Sequence, residues 1–207
     1  MIISVSRRTD IPAFYAEWFY NRLRAGYVLV RNPMNVHNVS KVALSPEVVD
    51  AFVFWTKNPL PLMKRLDELA EYPYYFQFTL TGYGKDIEPG LPDKKQALLP
   101  AFKELAAKTG RQRVIWRYDP VFFSSRYSME YHLECFEALA AELSGSTERC
   151  VISFMDEYRN TKRNVRKIAA VNYSSEEIYA FAARLAKIAD KYGLKLQTCA
   201  ETADFTE

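Results

Sequence analysis

The chain has 207 residues, a formal charge of +3, 49% hydrophobic and 26% charged residues. These shares are those of an ordinary soluble globular domain and argue against a disordered chain, a collagen-like repeat or a disulfide-rich mini-protein. The three cysteines, Cys135, Cys150 and Cys199, lie far apart and form no C-x-x-C pair, so local spacing gives no zinc or iron–sulfur site. A sparse, odd cysteine count suits a reducing cytosol, and no apolar run approaches the ~18 residues of a membrane span. The chain therefore reads as a cytoplasmic protein with no membrane partner. Its mild charge, with acids and bases well mixed, does not by itself indicate nucleic-acid binding.

The elements follow in chain order. A strand over 2–6 leads through Thr9-Asp10-Ile11-Pro12 to a helix over 13–25, stopped by Gly26. A strand over 27–31 and a return over 36–44 predict a hairpin within 27–44. Ser45-Pro46-Glu47 reads as a helix start, with Pro at the first helical position. The apolar run 51–55, a helix over 60–71 and a strand over 74–80 come next. A Gly- and Pro-containing loop over 82–92 precedes a helix over 94–109 and a strand over 113–118. A helix over 128–143, a strand over 150–155, a charged helical stretch over 160–168, a helix over 175–192 and a strand over 194–198 complete the pattern.

Strands alternating with helices imply parallel βαβ units, and six such rounds are present. Two architectures fit: an open doubly wound sheet and a (β/α) barrel. Nearly every strand ends in polar residues, which favours a TIM-like barrel whose mouth gathers all strand ends. A closed eight-fold barrel typically needs about 250 residues, so the barrel is expected to be partial, one domain over 1–207 with about six parallel strands. Alternation places Gln77 and Thr79 on one strand face, Arg117 and Asp119 on another, and Gln197, Cys199 and Glu201 on a third. A parallel strand buried on both faces is apolar on both, so these polar faces fit an interior that holds a ligand.

Four clusters carry chemistry. In Ser6-Arg7-Arg8-Thr9-Asp10, guanidinium forks at a strand end suit a carboxylate or phosphate, with Asp10 either holding one in place or capping the next helix. Lys57, after a buried run, can hold an anion or serve as a base if desolvated. Arg117 and Asp119 either pair structurally or converge on a ligand. Ser153, Asp156 and Tyr158 with Gln197, Cys199 and Glu201 form the fourth; such carboxylates, with Asp10 and Asp119, suit Mg²⁺ or Mn²⁺, although no metal ligand is assigned. Cys199 is either a small packing residue or a reactive thiol. His132 reads as a helix-surface or packing residue and His37 as a loop residue. No Walker A loop, G-x-G-x-x-G or G-x-S-x-G motif occurs. The high aromatic share, 14%, suits strands and a large core, with some rings available to stack on a flat ligand.

Ser6-Arg7-Arg8-Thr9-Asp10-Ile11-Pro12, Arg31-Asn32-Pro33, Phe54-Trp55-Thr56-Lys57-Asn58-Pro59, Tyr75-Phe76-Gln77-Phe78-Thr79, Trp116-Arg117-Tyr118-Asp119-Pro120 and Ser153-Phe154-Met155-Asp156 together resemble the DUF1848 family of uncharacterised proteins, along the whole chain. The resemblance implies a partial (β/α)₆ barrel and a link to radical S-adenosylmethionine enzymes. It also implies a C-terminal cysteine cluster binding a [4Fe–4S] centre. The present sequence stops at Glu207, before such a tail, and is expected to be a fragment or a chain whose tail is lost or not represented. An exposed last strand would then favour association at the sheet edge.

The candidate set that follows has Lys57, Asp119, Cys199 and Glu201 as catalytic residues, Cys199 as a hydrogen-atom donor. Arg7, Arg8, Asp10, Asn32, Asn58, Gln77, Thr79, Arg117, Ser153, Asp156 and Gln197 bind the cofactor or substrate. The expected partner is a small or nucleotide-like molecule, with [4Fe–4S] and S-adenosylmethionine as cofactors of the full-length protein. Two other readings stand beside this one: a divalent-metal- or anion-dependent hydrolase or lyase, and a nucleic-acid-binding, repair-associated protein that grips an extruded base.

Overall fold

The computed structural model describes residues 1–155, 171 and 173–199. The chain divides into two compact units, Met1–Phe78 and Thr79–Glu207.

The first unit holds β1 (Ile2–Ser4), α1 (Ile11–Phe14), α2 (Ala16–Ala25), β2 (Tyr27–Arg31), β3 (Val39–Ala43), β4 (Ala51–Thr56), α3 (Leu60–Met63) and β5 (Tyr74–Thr79), whose last residue opens the second unit. β1, β4 and β5 run parallel, with Ile3 opposite Phe52, Phe54 opposite Phe76 and Trp55 opposite Gln77. The alternation predicted for β5 holds: Phe52, Phe54 and Phe76 share one face and are fully buried. Phe19 of α2 covers that face, its ring edge-on to Phe52 at 5.5 Å and to Phe54 at 5.3 Å. Trp55, Tyr75 and Gln77 share the opposite face and are half-buried. β2 and β3 form a separate antiparallel ribbon, the expected hairpin.

Three expected helices change. The helix expected over 13–25 starts earlier and is interrupted at Tyr15, whose backbone (φ −134°, ψ 26°) is not helical. It still ends at Gly26, in the left-handed conformation that glycine adopts without steric cost. The helix expected over 60–71 breaks at Arg65 into α3 and a 3₁₀ turn, Leu66–Leu69. There the Arg65 side chain reaches back to Glu17 of α2 at 2.8 Å and also pairs with Glu68. Ser45-Pro46-Glu47 starts no helix; Val48 and Val49 both donate to the Ser45 carbonyl, closing a single turn.

The second unit holds α4 (Leu99–Thr109), β6 (Val114–Val121), α5 (Met129–Leu143), β7 (Arg149–Phe154), α6 (Ser175–Lys191) and β8 (Lys195–Thr198). One π-helical turn, Lys94–Leu98, precedes α4. β6, β7 and β8 run parallel; Trp116, Cys150 and Leu196 lie in one row, and Arg117, Val151 and Gln197 in the next. Trp116 and Tyr118 are buried against Phe136 of α5, which stacks on Trp116 at 4.8 Å. β6 runs three residues past its expected end, through a register shift and a cis Asp119–Pro120 bond. α6 opens with a reciprocal cap, Ser174 and Glu177 each accepting from the other's backbone N–H. The helical stretch expected over 160–168 lies outside the described residues.

The protein is thus mixed α/β, with six parallel strands, three in each unit. Among the described residues no closed barrel is found: β1 pairs with β4 alone and β8 with β7 alone. No described helix is long and apolar enough to cross a membrane.

Candidate functional site

In the second unit the alternation of β6 brings Arg117 and Asp119 to one face. Arg117 is only 4% exposed, and a buried guanidinium needs a compensating charge. Asp119 supplies it: Nε and Nη2 both donate to Oδ2, at 3.0 and 2.6 Å. The hydroxyl of Ser153, on β7, donates to the other carboxylate oxygen, Oδ1. β8 continues the same face, since Gln197 lies opposite Val151 and the Cys199 N–H donates to Ile152 O at 3.0 Å. Ser153, Gln197 and Cys199 are half-buried. Arg117, Asp119, Ser153, Gln197 and Cys199 therefore share one strand-end face carrying a guanidinium, a carboxylate, a hydroxyl, an amide and a thiol. Glu201 and Asp156 lie outside the described residues.

In the first unit Asp10 is the organising residue. Its Oδ1 accepts from Ala13 N at 3.0 Å, capping α1, and its Oδ2 accepts from Lys57 N at 2.8 Å, fixing the loop after β4. Burial pushes the Asp10 carboxyl above its ordinary range, against the Lys57 and Ala13 amides, the Thr56 hydroxyl and the Lys57 ammonium, which favour its charged form. Lys57 is half-buried beside it. Asn58 works locally, its Oδ1 accepting from Leu60 N at 3.3 Å.

Arg7 and Arg8 are exposed, and Arg8 Nη2 donates to Arg31 O at 2.6 Å, at the end of the ribbon next to its turn. Asn32 turns the ribbon tip by accepting from Met34 N at 2.8 Å. Asp10, Thr56 and Lys57 are thus one cluster, while Arg8 and Asn32 belong with the β2–β3 ribbon. Gln77 and Thr79 are half-buried on β5.

Two buried polar groups of the second unit were not legible as such. The 82–92 loop is closed by Lys94, whose Nζ pairs with Glu88 and donates to Thr81 O at 2.9 Å and Tyr83 O at 2.6 Å. Tyr83, Glu88 and Lys94 line a cavity of about 260 Å³. Its only sequence signal is an acid and a base six residues apart around Pro89 and Pro92. Gly82 is required there, because an added Cβ would lie 2.8 Å from Cys135 Cβ.

His132 is fully buried and shares hydrogen bonds with Tyr118 OH (2.8 Å, Nδ1) and Phe122 O (2.9 Å, Nε2). A carbonyl only accepts, so Nε2 carries the proton and Nδ1 accepts from Tyr118. Burial lowers the His132 pKa, which keeps the ring neutral. His132 is a packing residue, one of the two roles expected for it.

A [4Fe–4S] centre is held by clustered cysteine thiolates. Cys135 sits on α5 and Cys199 follows β8; Cys150 lies on β7, fully buried, with its thiol pKa raised by that burial. No three His, Cys, Asp or Glu side chains come together among the described residues, so these residues do not fit the cluster.

Fold and site together define an α/β protein with polar clusters at the carboxyl ends of parallel strands. The chain belongs to the family described as Domain of unknown function (DUF1848), whose model matches residues 2–207. No curated protein and no solved structure matches the chain.

Proposed function

We propose that the chain is the ligand-binding body of an enzyme acting on an anionic, nucleotide-like small molecule, and that in its full-length form it is a radical-S-adenosylmethionine enzyme. The observation that carries the binding reading is the buried Arg117, charge-balanced by Asp119 and placed on the face that Ser153, Gln197 and Cys199 share. A cation held at low exposure, with its partner locked by a third side chain, is a preorganised electrostatic element. Arg117 would face a ligand carboxylate or phosphate, Gln197 would hydrogen-bond a ribose or amide edge, and Asp119 would keep the guanidinium in place.

In this reading the six parallel strands are those of a partial (β/α)₆ barrel, and the protein is cytoplasmic. The radical-enzyme reading rests on the resemblance in the motif segments. It requires cluster ligands from outside the described residues, and no step is assigned to a cluster.

The test is the full-length gene product purified without oxygen. Iron–sulfur absorption and cleavage of S-adenosylmethionine support the radical reading; the absence of both sinks it. Binding of S-adenosylmethionine by the present chain tests the binding reading separately.

A further inference from the structure

The β2–β3 ribbon is separate from the six parallel strands. From Trp18 to Pro46 the sequence carries Arg22, Arg24, Arg31 and Lys41 and no Asp or Glu, in a chain otherwise rich in acids. Two five-residue arms pair antiparallel, Leu29 opposite Lys41 and Arg31 opposite Val39. The period of two therefore puts Tyr27, Leu29, Arg31, Val39 and Lys41 on one face. That face is open: Leu29 is 59% exposed and Val39 47%, and Arg31 and Lys41 are exposed as well. Lys41 Nζ sits 4.3 Å from the Tyr27 ring centroid, and Arg8 joins the ribbon near its tip through its bond to Arg31 O. The tip is built rather than loose. Asn32 and Asn35 side chains accept from Met34 and His37 amides at 2.8 and 3.1 Å, and Asn38 N closes on Asn35 O at 3.0 Å.

An exposed ribbon with cations, apolar side chains and no acid complements a polyanion. A second copy of the chain fits it poorly, because a two-fold contact would set this basic, acid-free face against the same face of the other copy. An anionic membrane fits poorly too. The most exposed apolar residue, Met34 (92%), is flanked by Asn32, Asn35 and Asn38, whose amides lose hydrogen bonds in hydrocarbon. A two-stranded ribbon is one of the two elements that the B-DNA major groove, about 12 Å wide, admits.

We propose that the β2–β3 ribbon is a docking surface for duplex DNA. Arg31, Lys41 and Arg8 meet backbone phosphates, and the Asn-rich tip faces the base edges. The proposal does not depend on the small-molecule function proposed above.

The test uses the full chain and a fluorescent DNA duplex of about 20 base pairs, titrated by anisotropy between about 50 and 200 mM salt. Binding is expected to weaken steeply with salt. Arg31→Gln/Lys41→Gln is expected to weaken it at least ~10-fold at the lowest salt and to reduce the log–log salt slope by about two. The same charge loss in the second unit, Lys108→Gln/Lys195→Gln, is expected to change neither. A readout without any variant is hydrogen exchange: the duplex should slow the amides of residues 27–43.

No duplex binding at the lowest salt overturns the proposal. So does equal loss in both double variants, or unchanged exchange over 27–43. Binding to phosphatidylserine-containing vesicles without duplex binding overturns it in favour of a membrane. Ribbon-dependent dimerisation without duplex binding overturns it in favour of a second copy.

Discussion

Arg117 and Asp119 sit two residues apart on β6, and one carboxylate oxygen takes both the Nε and the Nη2 protons of a guanidinium that is 4% exposed. The pair is one unit: removing the acid leaves a buried cation without its counter-charge. Asp119→Ala should cost about 3–5 kcal/mol in urea unfolding. Asp119→Asn should cost less, since its oxygen still accepts from Arg117. Arg117→Met/Asp119→Leu should cost clearly less than the sum of its single changes, because the buried charge leaves with its partner. Additive single and double effects would show that the two side chains are not coupled.

His132 sets a pH dependence. Its folded pKa is lowered from 6.5, chiefly by burial, so the unfolded chain binds a proton that the folded chain refuses. Stability from this group is complete above pH 6.5 and is lost as pH falls from there towards the lower folded value. The slope is at most about 1.4 kcal/mol per pH unit. His132→Gln should flatten that part of the urea-midpoint profile. A variant that keeps the wild-type slope would place the dependence in another group.

Asp10 acts in the opposite sense. Its folded pKa is raised above 3.8, so the folded state holds the proton longer. Ionising Asp10 therefore costs stability as pH rises through the interval between 3.8 and the raised folded value. Asp10→Asn should shrink that acid-side slope while keeping one accepting oxygen. Asp10→Ala frees both the Ala13 and the Lys57 amides and should cost about 1–2 kcal/mol at neutral pH. Equal stability of the Asn and Ala variants would mean that the accepted bonds contribute nothing.

Lys94 holds the 82–92 loop through Glu88, which is 8% exposed. Lys94→Met should destabilise by about 3 kcal/mol, since the Glu88 charge loses its cation. Hydrogen exchange should accelerate over residues 81–92. Restored protection in Glu88→Gln/Lys94→Met would confirm that the unpaired charge, rather than lost packing, opens the loop.

Alternation was the most legible signal. It placed Gln77 opposite the buried Phe76 and Phe78, and it put Arg117 with Asp119, because a strand's faces are fixed by parity alone. The ribbon over 27–44 was equally plain, since each arm carries two β-branched valines, Val28 and Val30 in one and Val39 and Val42 in the other, and the Asn32-Pro33 turn signal separates them. The helix breaks at Tyr15 and Arg65 were not legible. At Arg65 the helical pattern continues, but its side chain reaches Glu17, 48 positions away, a partner no local window contains. Asp119-Pro120 carries turn chemistry, yet β6 continues through it. The Lys94–Glu88 lock and the Tyr118–His132 bond join nearer residues, six and 14 positions apart, but at no helix or strand period, so they depend on how loop, strand and helix meet after folding.

The central claim, that the face shared by Arg117, Ser153, Gln197 and Cys199 binds an anionic nucleotide-like ligand, is tested most directly by calorimetric titration of the full chain with S-adenosylmethionine. The prediction is saturable one-site binding that Gln197→Ala weakens about tenfold, or ~1.4 kcal/mol, with unfolding unchanged. Absence of binding, or the same affinity in Gln197→Ala, would contradict it.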